Sequence, residues 1–113
     1  MENSLYPAAT PEIAKRREQL TPETLNTWRA FSRQVFADGV LTAKTKDLIA
    51  VAVAHVTQCP YCIRAHTKSA RAKGATDKEI MEAIWIAAEM RAGGAIAHSA
   101  LAIDVMQEHR PPE

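Results

Sequence analysis

At 113 residues the chain has the length of one ordinary domain, enough to bury a single core without disulfide staples. Its 14 lysines and arginines face 13 acids, a formal net charge of +1 that gives no electrostatic reason to expect nucleic acid or an anionic membrane as partner. No apolar run approaches the roughly 20 residues that span a bilayer, and the N-terminal stretch MENSLYPAATPEIAKRR lacks an apolar signal core, so a soluble, cytoplasmic protein is expected.

In chain order, residues 1–9 carry Pro7 and no periodicity and read as an extended arm, followed by a short helix from about Pro11 to Glu18. Thr21-Pro22-Glu23 is a helix start, with Thr21 as N-cap, proline at the first position and an acid complementing the dipole. Leu25, Trp28, Phe31, Val35 and Phe36 then recur at helical spacing until Asp38-Gly39, a face expected in a core. Thr42 is placed to cap the next helix. Its run from Lys44 to Val56 carries Leu48, Ile49, Val51, Ala52, Val53 and Val56, a breadth that predicts a central helix buried on most sides. The valines there also suit a strand, but length and alanine content favour helix.

A fourth helix starts at Cys59-Pro60 and stops at Gly74. Thr76-Asp77-Lys78-Glu79 is a capping box, and Ile80, Ala83, Ile84, Ala87 and Ala88 continue behind it. Gly93-Gly94 predicts a break or kink before a last helix over Ala95 to Gln107, and the tail HRPPE, residues 109–113, should fray. There is no hairpin signal, and all six prolines lie in termini or helix starts. The expectation is one all-α domain over residues 1–113, a bundle of about five to six helices. Its alanine-rich helices approach closely but bury little area each, which predicts a homo-oligomer of intertwined protomers.

Both cysteines fall in QCPYCIRAHTKSARAKG, residues 58–74. A C-x-x-C loop is too short to stabilise a fold as a staple, and the absence of a βαβ pattern removes the thioredoxin reading. Cys59, Cys62 and His66, three and four residues apart, share one helix face. A free thiol, with a reference pKa of about 8.5, is mostly protonated at neutral pH. The helix N-terminus can lower that value for Cys59, and His66, one turn beyond Cys62, can take its proton. Asp47 on the preceding helix is the candidate to orient the histidine, and His55, two turns on, shares its face.

Blander readings stand beside these. Asp47 near a helix start suits a dipole partner or cap, and His55 a satisfied core histidine. Tyr61 serves as wall or weak proton donor, His98 as a structural or interface residue, and Trp85 and Met90 as core or interface contacts. Cys59, Cys62 and His66 with His55 or Asp47 also make a conceivable metal set, and the cysteine pair alone a disulfide sensor.

The stretch KTKDLIAVAVAHVTQCPYCIRAHTKSARAKGATDKEIMEAIWIAA, with its acid-bearing helix start, C-x-x-C-x-x-x-H and G-A-T-D-K-E-I, resembles the AhpD-like branch of the carboxymuconolactone decarboxylase family. GGAIAHSALA is similar to that branch as well. The resemblance implies an all-α fold in homotrimers or homohexamers and thiol peroxidase or disulfide reductase activity without a cofactor. The substrate would be a small hydroperoxide and the electron donor a dithiol, lipoylated or thioredoxin-like. Carried over, Cys62 is the peroxidatic thiol, Cys59 the resolving thiol and His66 the base. Asp47 stands in the family's glutamate position, and Tyr61 where some members have a histidine that His55 would replace. The wider family also implies the alternative of decarboxylase or isomerase chemistry on a small lactone, which needs no cysteine pair.

Overall fold

The computed structural model describes residues 5–108 and Pro112. The polar tail expected at 109–113 and the first four residues of the arm therefore lie almost wholly outside it. Among the described residues there are five α-helices and no strand: α1 (Pro11–Leu20), α2 (Pro22–Phe36), α3 (Ala43–Thr57), α4 (Pro60–Ala72) and α5 (Asp77–Glu108). The all-α expectation holds. The chain falls into two compact units, Met1–Ala43 and Lys44–Glu113.

In the first unit α1 packs against α2. Thr10 caps α1, its Oγ1 accepting from the Ile13 N–H at 3.3 Å, with Pro11 in the first turn. Thr21 occupies the N-cap position of α2 as expected, but its side chain makes no capping bond. Its backbone N–H closes α1 on the Arg17 carbonyl while its own carbonyl accepts from Leu25, so one residue ends one helix and starts the next. The expected core face of α2 is not buried: Trp28 and Phe31, their ring centroids 5.8 Å apart, are more than half exposed. Two helices alone lack a second layer to cover such a face. Ahead of α3, the Asp38 carboxylate accepts the Ala43 N–H at 2.7 Å.

The second unit is built round α3, α4 and the first half of α5. Val51, Ala70, Ala75 and Ile80 are buried together, with Leu48 and Ile84 against them. α4 ends in a Schellman motif: Gly74 adopts φ +95°, its N–H donates to the Arg71 carbonyl, and the Ala75 N–H reaches back to Ala70. The capping box then opens α5, with Thr76 N–H to Glu79 Oε1 at 2.8 Å and Glu79 N–H to Thr76 Oγ1 at 3.1 Å. Lys44 Nζ reaches Glu79 Oε2 at 3.1 Å, tying the start of α3 to the start of α5.

Two further expectations are overturned in the second unit. α3 is not buried on most sides, because Ile49, Val53 and Val56 are each 40% exposed or more. The break at Gly93-Gly94 is absent: α5 runs unbroken for 32 residues, and neither glycine takes a positive φ. Each glycine costs about 1 kcal/mol relative to alanine, which a long alanine-rich helix without an internal proline absorbs. No described helix is long and apolar enough to cross a membrane.

Candidate functional site

The cysteines lie where α3 hands over to α4. Gln58 adopts φ +58°, which lets the Cys59 N–H close on the Ala54 carbonyl at 3.2 Å and turns the chain sharply out of α3. A side chain in this left-handed region costs roughly 1–2 kcal/mol. Arg91 of α5 donates to the Val56 carbonyl at 2.6 Å, placing a cation on the C-terminal end of α3. Cys59 is the N-cap of α4, with Pro60 in the first turn, and its Sγ accepts the Cys62 N–H at 3.3 Å.

Both cysteines are free thiols, Cys59 half-buried and Cys62 exposed. Their sulfurs are 2.8 Å apart. Forming a disulfide of about 2.05 Å asks for less than one ångström of further approach. The hydrogen bond with the Cys62 thiol, then the Cys62 and Tyr61 backbone N–H groups, lower the Cys59 pKa against the opposing effect of burial. The same S–H···S bond, together with burial and the neighbouring charge, raises that of Cys62. The pair loses its first proton as a unit, and the helix N-terminus draws the charge toward Cys59.

Asp47, one turn into α3, is the one buried charged side chain among the described residues. It reaches across to α4. Oδ1 meets His66 Nδ1 at 3.1 Å, while Oδ2 accepts from Ser69 Oγ at 2.7 Å and Lys73 Nζ at 2.5 Å. Burial opposes its charge, but the hydrogen bonds from Lys73, Ser69 and His66 and the Lys73 charge outweigh it, and the pKa is lowered. An ionised carboxylate only accepts, so His66 donates from Nδ1, and in a neutral ring held this way the lone pair lies on Nε2.

The structure thus pairs Cys59 with Cys62 and His66 with Asp47, Cys62 and His66 lying one turn apart on α4. His55 departs from its expected role: its Nδ1 donates to the Val51 carbonyl at 2.7 Å within α3, and no hydrogen bond joins it to Asp47 or the cysteines. Histidine so near its own helix backbone satisfies itself on the carbonyl four residues back. Trp85 and Met90 are both more than 60% exposed in the single chain, so neither is a core contact within it. Ser69 and Lys73 were missed by sequence reasoning, although positions 62, 66, 69 and 73 continue one spacing of three and four along one face.

Among the described residues no group of three or more His, Cys, Asp and Glu side chains is arranged to hold a metal ion. Two zinc–sulfur bonds of about 2.3 Å at a tetrahedral angle would hold the sulfurs roughly 3.8 Å apart. An apolar groove of about 750 Å³ lies between α3 and α5, walled by Ile49, Val53, Val56, Ile86 and Met90. Neither cysteine nor His66 lines it, so the thiol site is distinct from it.

Residues 22–104, which contain every residue of this site, match the model of the carboxymuconolactone decarboxylase family. The chain belongs to the carboxymuconolactone decarboxylase family. A relative from Paracoccus denitrificans, protein 4 in the cox locus, is 65% identical over 79 residues, covering 70% of this chain and 71% of its own. A solved member of the carboxymuconolactone decarboxylase family from Legionella pneumophila superposes with a TM-score of 0.66 at 32% identity, over 88% of each chain. Another, from Thermotoga maritima, for which a part in an antioxidative response has been suggested, gives 0.54 at 36% identity, over 76% of this chain and 91% of its own.

Proposed function

We propose that this carboxymuconolactone decarboxylase family protein is an AhpD-like thiol oxidoreductase that reduces small hydroperoxides through Cys59 and Cys62 with His66 as base. The observation that carries this reading is the pair of sulfurs 2.8 Å apart at a helix N-terminus, one exposed and one half-buried, with an aspartate-held histidine one turn on. The antioxidative part suggested for the Thermotoga relative supports it.

His66 takes the first proton of the thiol pair at Nε2, and the second proton stays shared between the sulfurs. That sharing lets Cys62, the sulfur open to solvent, carry the charge when peroxide arrives. Its thiolate attacks the terminal peroxide oxygen, the O–O bond breaks, and the leaving alkoxide takes the proton from His66 and departs as alcohol. The Cys59 thiol then attacks the sulfenic sulfur of Cys62, the disulfide forms and water leaves. A dithiol donor, lipoylated or thioredoxin-like, restores both thiols by exchange and is itself oxidised. A reducing cytoplasm suits this cycle, and the protein acts as a homo-oligomer.

The test is reduced protein mixed with a hydroperoxide, followed by mass spectrometry of both cysteines. Cys59→Ser should accumulate sulfenic acid on Cys62 without disulfide, and Cys62→Ser should consume no peroxide. Peroxide consumption by Cys62→Ser would reverse the roles of the two sulfurs. Peroxide reaction of the native protein no faster than that of a free thiol, with lactone turnover indifferent to both substitutions, would sink the reading in favour of decarboxylase-type chemistry.

A further inference from the structure

The Asp47 carboxylate is held from two sides, and only one of them faces the histidine. Oδ1 addresses His66, while Oδ2 sits in a closed triangle: Ser69 Oγ and Lys73 Nζ both donate to it, and Lys73 Nζ also donates to Ser69 Oγ at 2.9 Å. All three partners come from one face of α4, each a single turn from the next.

A carboxylate almost wholly removed from water needs compensating charge and hydrogen bonds to stay ionised. Two basic groups touch it, the Lys73 ammonium and the His66 imidazole. If His66 supplied the charge alone, the ring would be committed to being the counter-ion of Asp47 and unable to accept a thiol proton. Lys73, with its side chain about a third exposed, supplies that charge from the solvent side, and Ser69 fixes the direction of Oδ2. The carboxylate plane is then set, and Oδ1 is left pointing at Nδ1.

We infer that Lys73 and Ser69 are positioning residues for the thiol chemistry: they clamp Oδ2 of Asp47 so that Oδ1 holds neutral His66 in its Nδ1–H form, with the lone pair at Nε2. This inference rests on the proposed use of His66 as base, but the ring's proton location is measurable without any substrate.

The experiment is ¹⁵N NMR of the His66 ring in reduced full-length protein, paired with the rate of peroxide-driven disulfide formation, for the native chain, Lys73→Met, Lys73→Arg and Ser69→Ala. The native ring should show the Nδ1–H form. Lys73→Met should lose that single form and slow disulfide formation roughly tenfold or more, with the dependence on peroxide concentration unchanged in shape. Lys73→Arg should restore most of both signals. If Lys73→Met does not fold, as judged by circular dichroism, Ser69→Ala keeps the charge and should still mix the ring's two neutral forms.

A native Nδ1–H signature that survives in both Lys73→Met and Ser69→Ala overturns the inference. So does a Lys73→Arg protein as impaired as Lys73→Met. A native protein that is inert to peroxide, yet whose Nδ1–H form is lost in Lys73→Met, overturns the peroxidase reading and supports the clamp.

Discussion

At the scale of single residues the site is governed by Asp47, because burial makes everything around it consequential. Its lowered pKa implies a definite pH dependence of stability. The unfolded value is about 3.9, and the folded value lies below it because Lys73, Ser69 and His66 outweigh the penalty of burial. Stability contributed by Asp47 is therefore complete above the unfolded value and is lost as pH falls through the folded one. Urea unfolding of the native chain should accordingly show a falling midpoint as pH is lowered below about 4. Asp47→Asn should be less stable at neutral pH, since Lys73 loses its counter-charge, and should lack that part of the acid dependence. An Asp47→Asn profile parallel to the native one down to pH 3 would show that the stability change comes from elsewhere.

The cysteines obey a different logic at the same scale. Their pKa shifts come from the helix end and from each other, since Cys59 is the N-cap and accepts from the Cys62 N–H while its sulfur lies against that of Cys62. Spacing alone carried this, because proline after the first cysteine marks the first turn. The clamp on Oδ2 was harder to see: nothing in the spelling of Ser69 or Lys73 distinguishes them from a solvated helix face until α3 is laid beside α4.

At the scale of elements, α4 is defined by its two ends. Cys59 and Pro60 start it, and Gly74 with Ala75 ends it, burying Ala70 and Ala75 in the process. Gly74 is required by its φ of +95° and not by space, since a Cβ there would meet nothing within 4 Å. Gly74→Ala should therefore destabilise the protein by about 1–2 kcal/mol through backbone strain, read as a drop of several degrees in the thermal midpoint with native helicity retained below it. An unchanged midpoint would mean that the turn relaxes to another backbone conformation. α5 teaches the opposite lesson about glycine. Gly93 and Gly94 keep helical φ because the residues on both sides are good helix formers and no capping residue or proline follows.

At the scale of the whole molecule, the exposed apolar side chains are the dominant feature. Beyond Met90 no described residue of α5 is buried, and Ile96 and Leu101 are 74% and 68% exposed. Such surface, with the groove between α3 and α5, is what the proposed homo-oligomer would cover. Light scattering should return a multiple of the 12.4 kDa chain mass, three or six being the expectation. Leu101→Glu, a substitution costing a lone exposed helix within about 0.5 kcal/mol, should lower that mass while leaving helical circular dichroism intact. A monomer mass for the native chain at micromolar concentration would rule the assembly out.

What the sequence determined by itself is local. Thr76, Glu79, Gly74 and the prolines at Pro11, Pro22 and Pro60 mark helix ends because caps are satisfied within a few residues, and the Cys59–Cys62–His66 face follows from helical spacing alone. Tertiary structure decided the rest. It laid Asp47 against His66 and turned His55 onto its own helix backbone, recruited Ser69 and Lys73 to the same carboxylate, and left the apolar faces of α2 and α3 uncovered within one chain. Those outcomes depend on which helix lies against which, and residues 19 to 26 positions apart meet only because a buried charge must find all its partners at once.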